Sequence, residues 1–196
     1  MNETVRPYRA EDAAAVREVH ERAFAGRREE AHLVEMLHAA GAAPVSLVAA
    51  TEPGGRVVGH VLFSPVRVEG SESGPPPMVG LAPVGVLPEC QGRGTGSRLI
   101  LEGLEACRRA GYGAAVVLGR PGYYYRFGFE RASGRGLGNE YGVDEHFMVV
   151  ELSNGALNGV GGTVRYREFR EVSARDPARG QHQDTQTSEN PMHAKF

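Results

Sequence analysis

The sequence predicts an α/β fold, a mixed sheet with helices on both of its faces. Three observations predict it. Strand-like and helix-periodic stretches follow one another in the order β-α-α-β-β-β-α-β-α-β, with further strands behind. The continuous apolar run Ala114-Ala115-Val116-Val117-Leu118 suits a buried central strand. An amphipathic helix stands just before that run, and a glycine-rich turn joins it to an earlier strand. With 196 residues, 41% of them hydrophobic, the chain is long enough for one domain with a real core.

Thr4 to Arg9 reads as a first strand. Ala10-Glu11-Asp12 puts acids at the start of a helix, where the dipole favours them. Val16, Val19, Ala23 and Phe24 recur at helical spacing up to Gly26. A second helix covers Arg28 to Ala40, with Leu33, Val34, Leu37 and Ala40 apolar. Its polar residues Glu29, Glu30, His32, Glu35 and His38 read mostly as a solvated face. Val45 to Ala50 and Val57 to Phe63 form a hairpin about the turn Glu52-Pro53-Gly54-Gly55, and Val66 to Val68 extends it past Pro65. Ser71 to Pro77 is a loop expected to be mobile.

Val79 to Val86 is the next strand. Pro83 lies inside it and cannot donate a ladder hydrogen bond, so a bulge is expected there. The bulge would splay this strand from the next and free main-chain groups for an amide-bearing ligand. A helix over Arg93 to Ala110 follows, with Ile100, Leu101, Leu104 and Cys107 as its stripe and Gly111 as its stop. After Ala114–Leu118 come a short helix at Tyr123 to Phe127, a strand opening at Gly128-Phe129, a strand at Phe147 to Leu152 and an edge strand at Thr163 to Phe169. The domain is placed at residues 1–172. Residues 173–196 are polar and read as a disordered tail.

Composition excludes several classes. The net charge of −2 gives no general reason to expect nucleic acid or an anionic membrane as partner. Two cysteines, Cys90 and Cys107, make no secreted disulfide framework, and no Cys/His cluster has zinc spacing. Cys107 falls on a core stripe and Cys90 reads as incidental. No apolar run is long enough to span a bilayer and the first residues are not a signal peptide, so a soluble cytoplasmic protein is expected.

The chemistry concentrates in Val84-Gly85-Val86-Leu87-Pro88-Glu89-Cys90-Gln91-Gly92-Arg93-Gly94-Thr95-Gly96-Ser97. A strand runs through a glycine-rich turn into a helix. The first N–H groups of a helix lack partners, and the dipole adds partial positive charge there. Glycines let an anion approach the main chain, so a phosphate or pyrophosphate is the expected occupant. A P-loop would need Lys-Ser/Thr where Ser97-Arg98 stands, and a dinucleotide loop would need glycine at Ser97.

What fits is Q-x-x-G-x-G, as Gln91, Gly94 and Gly96. This loop resembles the acyl-CoA pyrophosphate loop of the GNAT superfamily of N-acyltransferases. With L-G-R-P-G-Y-Y-Y-R-F-G-F over residues 118–129, it is most similar to the YhbS-like branch of that superfamily. The resemblance covers about Thr4 to Leu152. It implies the GNAT fold, with its bulged, splayed strand, and acetyl-CoA as co-substrate without a metal. Val84, Gly85 and Val86 are implied to bind pantetheine. Gln91, Gly92, Arg93, Gly94, Thr95 and Gly96 are implied to bind the pyrophosphate, with Ser97 as an added contact. It also implies that Tyr124 is the general acid, between Tyr123 and Tyr125. A phenol near pH 10 keeps its proton at neutral pH and can release it to a departing thiolate near 8.5. A main-chain N–H near Val84 would stabilise the oxyanion.

The expected reaction is N-acetyl transfer to a primary amine, small molecule or peptide, by direct attack in a ternary complex. The first two helices and the loop after Phe129, glycine-rich over Arg135 to Asp144, would form the acceptor pocket. The base stays open. The strand over Val79 to Val86 carries no acid, and His60 and Glu30 are the candidates, with a water chain to solvent as a third route. The alternatives are a non-catalytic acyl-CoA-binding or sensory module on the same fold and a protein binding another nucleotide. The acceptor and the oligomeric state stay open, a homodimer included.

Overall fold

The computed structural model describes residues 2–53, 55–71 and 74–166. The strands are β1 (Asn2–Pro7), β2 (Val45–Glu52), β3 (Val57–Glu69), β4 (Met78–Val86), β5 (Ala114–Leu118), β6 (Glu130–Arg131), β7 (Leu137–Asn139), β8 (Phe147–Glu151) and β9 (Gly162–Arg165). The helices are α1 (Ala13–Ala23), α2 (Glu29–Ala39), α3 (Thr95–Arg109) and the single turn α4 (Pro121–Tyr124). The sheet runs β1-β2-β3-β4-β5-β8-β6, with β9 joining β3 to β7. Among the described residues only β4–β5 and β7–β9 are parallel.

Glycines show how the layers close. A Cβ on Gly59 of β3 would lie 2.9 Å from Leu99 Cδ1, so α3 covers that face. A Cβ on Gly85 of β4 would lie 2.9 Å from His20 Nδ1, so α1 covers the other, with α2 packed on α1. Hence α1 and α2 lie on one face and α3 on the opposite one.

The buried stripe of α3 is Thr95, Leu99, Ile100, Gly103, Leu104 and Cys107. Leu101 is 53% exposed and does not belong to it. Each residue turns about 100° around a helix, so Leu101 stands off the line through Ile100 and Leu104. Gly103 was invisible to a count of apolar side chains, yet it is buried where α3 packs on Phe63 of β3. A Cβ there would run into the Phe63 ring, with Cζ at 3.0 Å. Gly103→Ala is therefore expected to lower stability by about 1 kcal/mol, because overpacking of about 1–3 kcal/mol outweighs alanine's helix preference. Urea unfolding measures it.

Between Asp12 and its neighbours a tight anchor fixes the entry to α1. Asp12 accepts from both Arg6 guanidinium nitrogens (2.7 and 2.8 Å) and from the Arg9 amide (2.8 Å). The Arg6 hydrogen bonds hold its carboxyl below the usual carboxylate range.

The stretch from Arg135 to Asp144, read from its glycines as a loop, contains regular structure. It holds β7, which pairs in parallel with β9. Asn139 is buried and braces the following turn, accepting from the Tyr141 amide at 3.0 Å and donating to Val143 O. The strand has three residues and a partner far along the chain, so no local periodicity marks it. The edge strand expected at Thr163 to Phe169 is β9, Gly162–Arg165; residues 167–169 and the tail at 173–196 lie outside the described residues. Among the described residues no helix is long and apolar enough to cross a membrane.

Candidate active site

The bulge falls at Pro83. Val61 pairs with Val84 and Phe63 with Leu81, so Leu62 alone opposes Ala82 and Pro83. On its other side β4 pairs with β5 only at Met78–Gly80 against Ala114–Val116. From Leu81 onward the two strands separate. The direction of the freed groups follows from the ladder. The Leu87 amide donates to Val58 O, so the bonded antiparallel pairs fall at 87/58 and 85/60. Val84 and Val86 then aim their N–H and C=O groups away from β3, into the gap. Gly85 bonds back to His60 and contributes by lacking a side chain, since His20 occupies the place of its Cβ.

The loop after β4 is pinned at both ends. Glu89 pairs with Arg22 (2.9 Å) and Arg56 (3.1 Å), and the Gln91 side chain donates to Val86 O at 2.9 Å. Gly92 and Gly94 take left-handed φ values of 74° and 87°, which a side chain would strain. Gly94 caps α3 without a side-chain bond, and the first helical bond runs from the Arg98 amide to Gly94 O. The N–H groups of Thr95, Gly96 and Ser97 are left without partners inside the helix. The Thr95 hydroxyl is turned away and donates to Glu3 at 2.7 Å.

These parts border one cleft of about 1540 Å³. Of the residues singled out in the sequence, Val84, Gly85, Val86, Gln91, Gly92, Gly94, Thr95, Gly96, Ser97 and Tyr124 line it. Arg93 does not. The three tyrosines separate cleanly. Tyr125 is 53% exposed and outside the cleft. Tyr123 lines it beside the loop, its hydroxyl 3.3 Å from where a Gly96 Cβ would lie, and the Arg126 guanidinium stands 4.7 Å over its ring. Tyr124 is buried, held edge-on by Tyr123 (5.2 Å) and Phe129 (5.6 Å) and packed against Gly119. Burial pushes its phenol above the usual tyrosine range, and Tyr123 adds to the shift. Gly119 was not singled out in the sequence. A Cβ there would strike the Tyr124 ring, which makes this glycine a condition of the tyrosine's position.

His60 does not reach the cleft. It is fully buried and its ring nitrogens bond His20 Nε2 (2.8 Å) and Ser46 Oγ (2.9 Å). Ser46 Oγ lies 3.2 Å from His38 Nε2. One arrangement gives the N–H of both fully buried rings an acceptor: His20 Nε2–H to His60 Nδ1 and His60 Nε2–H to Ser46 Oγ, with Ser46 O–H donating to His38 Nε2. It leaves only a lone pair, at His20 Nδ1, without a partner among the described residues. His38, expected on the solvated face of α2, is half-buried and stacked on Tyr8 at 4.0 Å. Burial pushes all three imidazoles down, His20 to about 3. A histidine so held is a neutral structural group.

The far wall of the cleft comes from α1, α2 and the segment between them, through Ala23, Phe24, Arg27, Glu30, Leu33 and Leu37. The stretch Arg135–Asp144 contributes nothing to it and borders a separate cavity of about 360 Å³. Cys90, read as incidental, is buried and lines the cleft. Cys107 is core, its thiol pushed up to about 12 by burial. Among the described residues no cluster of His, Cys, Asp and Glu could hold a metal ion.

A family model described as an acetyltransferase (GNAT) domain matches residues 4–132. The uncharacterized N-acetyltransferase YhbS of Escherichia coli K12 is 42% identical over 140 residues, covering 71% of this chain and 81% of that one. The crystal structure of the GNAT family N-acetyltransferase YhbS from Escherichia coli in complex with CoA is similar at a TM-score of 0.79 and 36% identity, over 87% of this chain and 93% of that one. A GNAT family acetyltransferase from Brucella melitensis, in complex with acetyl-CoA, is similar at 0.69 and 38% identity, over 86% of this chain and 98% of that one.

Proposed function

The chain belongs to the GNAT acetyltransferase family and is an acyltransferase, and from that premise we propose that it moves the acetyl group of acetyl-CoA to a primary amine by direct attack in a ternary complex. The observation that carries the reading is the opening between β4 and β5. Three kinds of group converge there: main-chain groups with no strand to pair with, the free N–H groups of a helix start, and a buried phenol. The residues suit the co-substrate. Open space surrounds Gly92 and Gly94, so a diphosphate can reach the loop main chain, and Arg120 and Arg126 line the same cleft. Val84 presents an N–H and a C=O and Val86 an N–H to a chain of two amides, the Val86 carbonyl already accepting from the Gln91 side chain.

Val84 N–H is placed to stabilise negative charge on the thioester oxygen. Tyr124 gives its proton to the leaving sulfur and recovers one from the newly acylated nitrogen. An ammonium acceptor loses one further proton to solvent, so each turnover releases one proton. No acyl-enzyme is needed.

Isothermal titration tests the reading. Acetyl-CoA and CoA are expected to bind with micromolar Kd or better and ATP not to bind, since ATP lacks the pantetheine arm that the β4 gap would hold. Absence of binding by both CoA species would overturn it.

A further inference from the structure

Among the described residues the charged side chains that line the cleft are Arg27, Glu30, Arg120 and Arg126. Arg27 and Glu30 pair at 3.4 Å, which leaves Arg120 and Arg126 without a carboxylate partner among the described residues. The cations on the side of the glycine-rich turn are committed elsewhere. Arg22 and Arg56 hold Glu89, Arg98 donates to Glu3 O at 2.6 Å, and Arg93 stands outside the cleft. The turn therefore offers an anion main-chain dipoles but turns no full positive charge toward it.

Arg126 supplies that charge from the β5 side of the gap, and its place is fixed. Its guanidinium lies 4.7 Å over the Tyr123 ring, and the hydroxyl of that ring is 3.3 Å from where a Gly96 Cβ would lie. One tyrosine ring thus spans the interval between the guanidinium and the start of α3. Both side chains are open to a ligand. Tyr123 is half-buried, Arg126 is exposed, both line the cleft, and the Tyr123 hydroxyl is neither sealed from solvent nor hydrogen-bonded among the described residues. The ring face restrains the guanidinium, whose planar fork matches two oxygens of a phosphate.

We propose that Tyr123 and Arg126 form a second wall of the donor site, facing the loop across the cleft, with the Tyr123 hydroxyl donating to the diphosphate of acetyl-CoA and the Arg126 guanidinium offsetting its charge. The inference rests on the acyl-CoA reading above. Main-chain N–H groups of the loop hold one side of the diphosphate and this pair holds the other, so the pair selects thioesters that carry a nucleotide end.

The test is isothermal titration of CoA and of 3′-dephospho-CoA, which share the diphosphate and differ in the 3′-phosphate, from about 20 to about 300 mM NaCl. Arg126→Met keeps an unbranched apolar stem on the Tyr123 ring and removes the charge. At low salt it should raise the Kd of both ligands by about tenfold or more and by the same factor, with Arg126→Lys recovering part of the loss. Tyr123→Phe keeps the ring under the guanidinium and should raise both values by about threefold. Added salt should weaken the wild type more than Arg126→Met, so the gap between them narrows. Unchanged affinity in Arg126→Met overturns the inference and leaves the acyl-CoA reading standing. A loss confined to CoA moves the contact to the 3′-phosphate and overturns the diphosphate assignment. A loss that salt does not narrow assigns Arg126 to packing on Tyr123 and also overturns it. A wild type that binds neither ligand overturns both readings.

Discussion

Tyr124→Phe should lower kcat by about 10²-fold or more while leaving the Kd for acetyl-CoA within about twofold. The substitution removes one oxygen and keeps the ring, so the contacts with Gly119, Tyr123 and Phe129 survive. What is lost is the proton for the departing sulfur. Without it the sulfur leaves as a thiolate in a cleft with apolar walls, where an uncompensated charge is costly. The pH dependence has a defined sign. Burial raises the phenol above its ordinary value of about 10, so the acid keeps its proton throughout the neutral range. The kcat profile of the wild type should show no alkaline decline before about pH 10. Hydroxylamine, a small acceptor that is neutral at pH 7.5, isolates this step from recognition of larger amines. A Tyr124→Phe protein that retains kcat within threefold would remove Tyr124 from the chemistry. A protein that binds acetyl-CoA but releases no thiol in the wild type would make the chain a binding module on the same fold.

Gly119→Ala is the companion variant. Its Cβ would press on the Tyr124 ring, so it should lower kcat without touching the hydroxyl. Loss of activity in both variants with acetyl-CoA binding intact would tie catalysis to the placement of Tyr124 as well as to its chemistry.

How much of this was legible depends on how local each signal is. The strand, the glycine turn and the start of α3 are consecutive in the sequence, and ten of the eleven residues singled out there and at Tyr124 line the cleft. Pro83 announced the bulge because proline has no amide hydrogen to give. Arg93 sits within the motif, but its side chain is exposed and stands outside the cleft lining. The far wall was harder to see. Glu30 is one of several polar residues on α2, and only the fold shows that one of its oxygens is sealed from water. Tyr166 comes more than 30 residues after the last motif and reaches the cleft through β9, a strand of four residues. The histidine chain was not legible at all. His20, His38, Ser46 and His60 lie on four different elements, and each taken singly has the ordinary surroundings of a helix or strand position.

That chain should make the protein acid-labile well above the pH at which carboxylates titrate. His20 has a folded-state value of about 3 against about 6.5 in the unfolded chain, and His60 is shifted in the same direction by burial and by its two histidine neighbours. Above pH 6.5 both states hold these rings neutral and stability does not depend on them. Below it the unfolded chain takes up a proton that the folded chain refuses, so stability falls with pH at about 1.4 kcal/mol per unit for each ring. At pH 4.5, two units below the ordinary value, that amounts to about 3 kcal/mol for His20, with His60 acting in the same direction, against a total of about 5–15 kcal/mol for an ordinary domain. The neighbours offer no relief. The groups facing the pair are Tyr8, Phe24, Ser46 and His38, and among the described residues no carboxylate bonds either ring. Asp12 works in the same direction only lower down. Its carboxyl is held below its usual value by Arg6, so its contribution is present near neutrality and lost as pH falls below about 4. Urea unfolding at pH 7.5, 6.0 and 5.0 should therefore show a midpoint that drops steadily across the histidine window. Histidine ring NMR should show His20 and His60 unmoved over the range in which exposed histidines titrate. A flat unfolding midpoint across that window, or two buried rings titrating near pH 6.5, would mean that the pair carries protons in the folded protein. The direction of hydrogen bonding along the chain would then have to be reassigned.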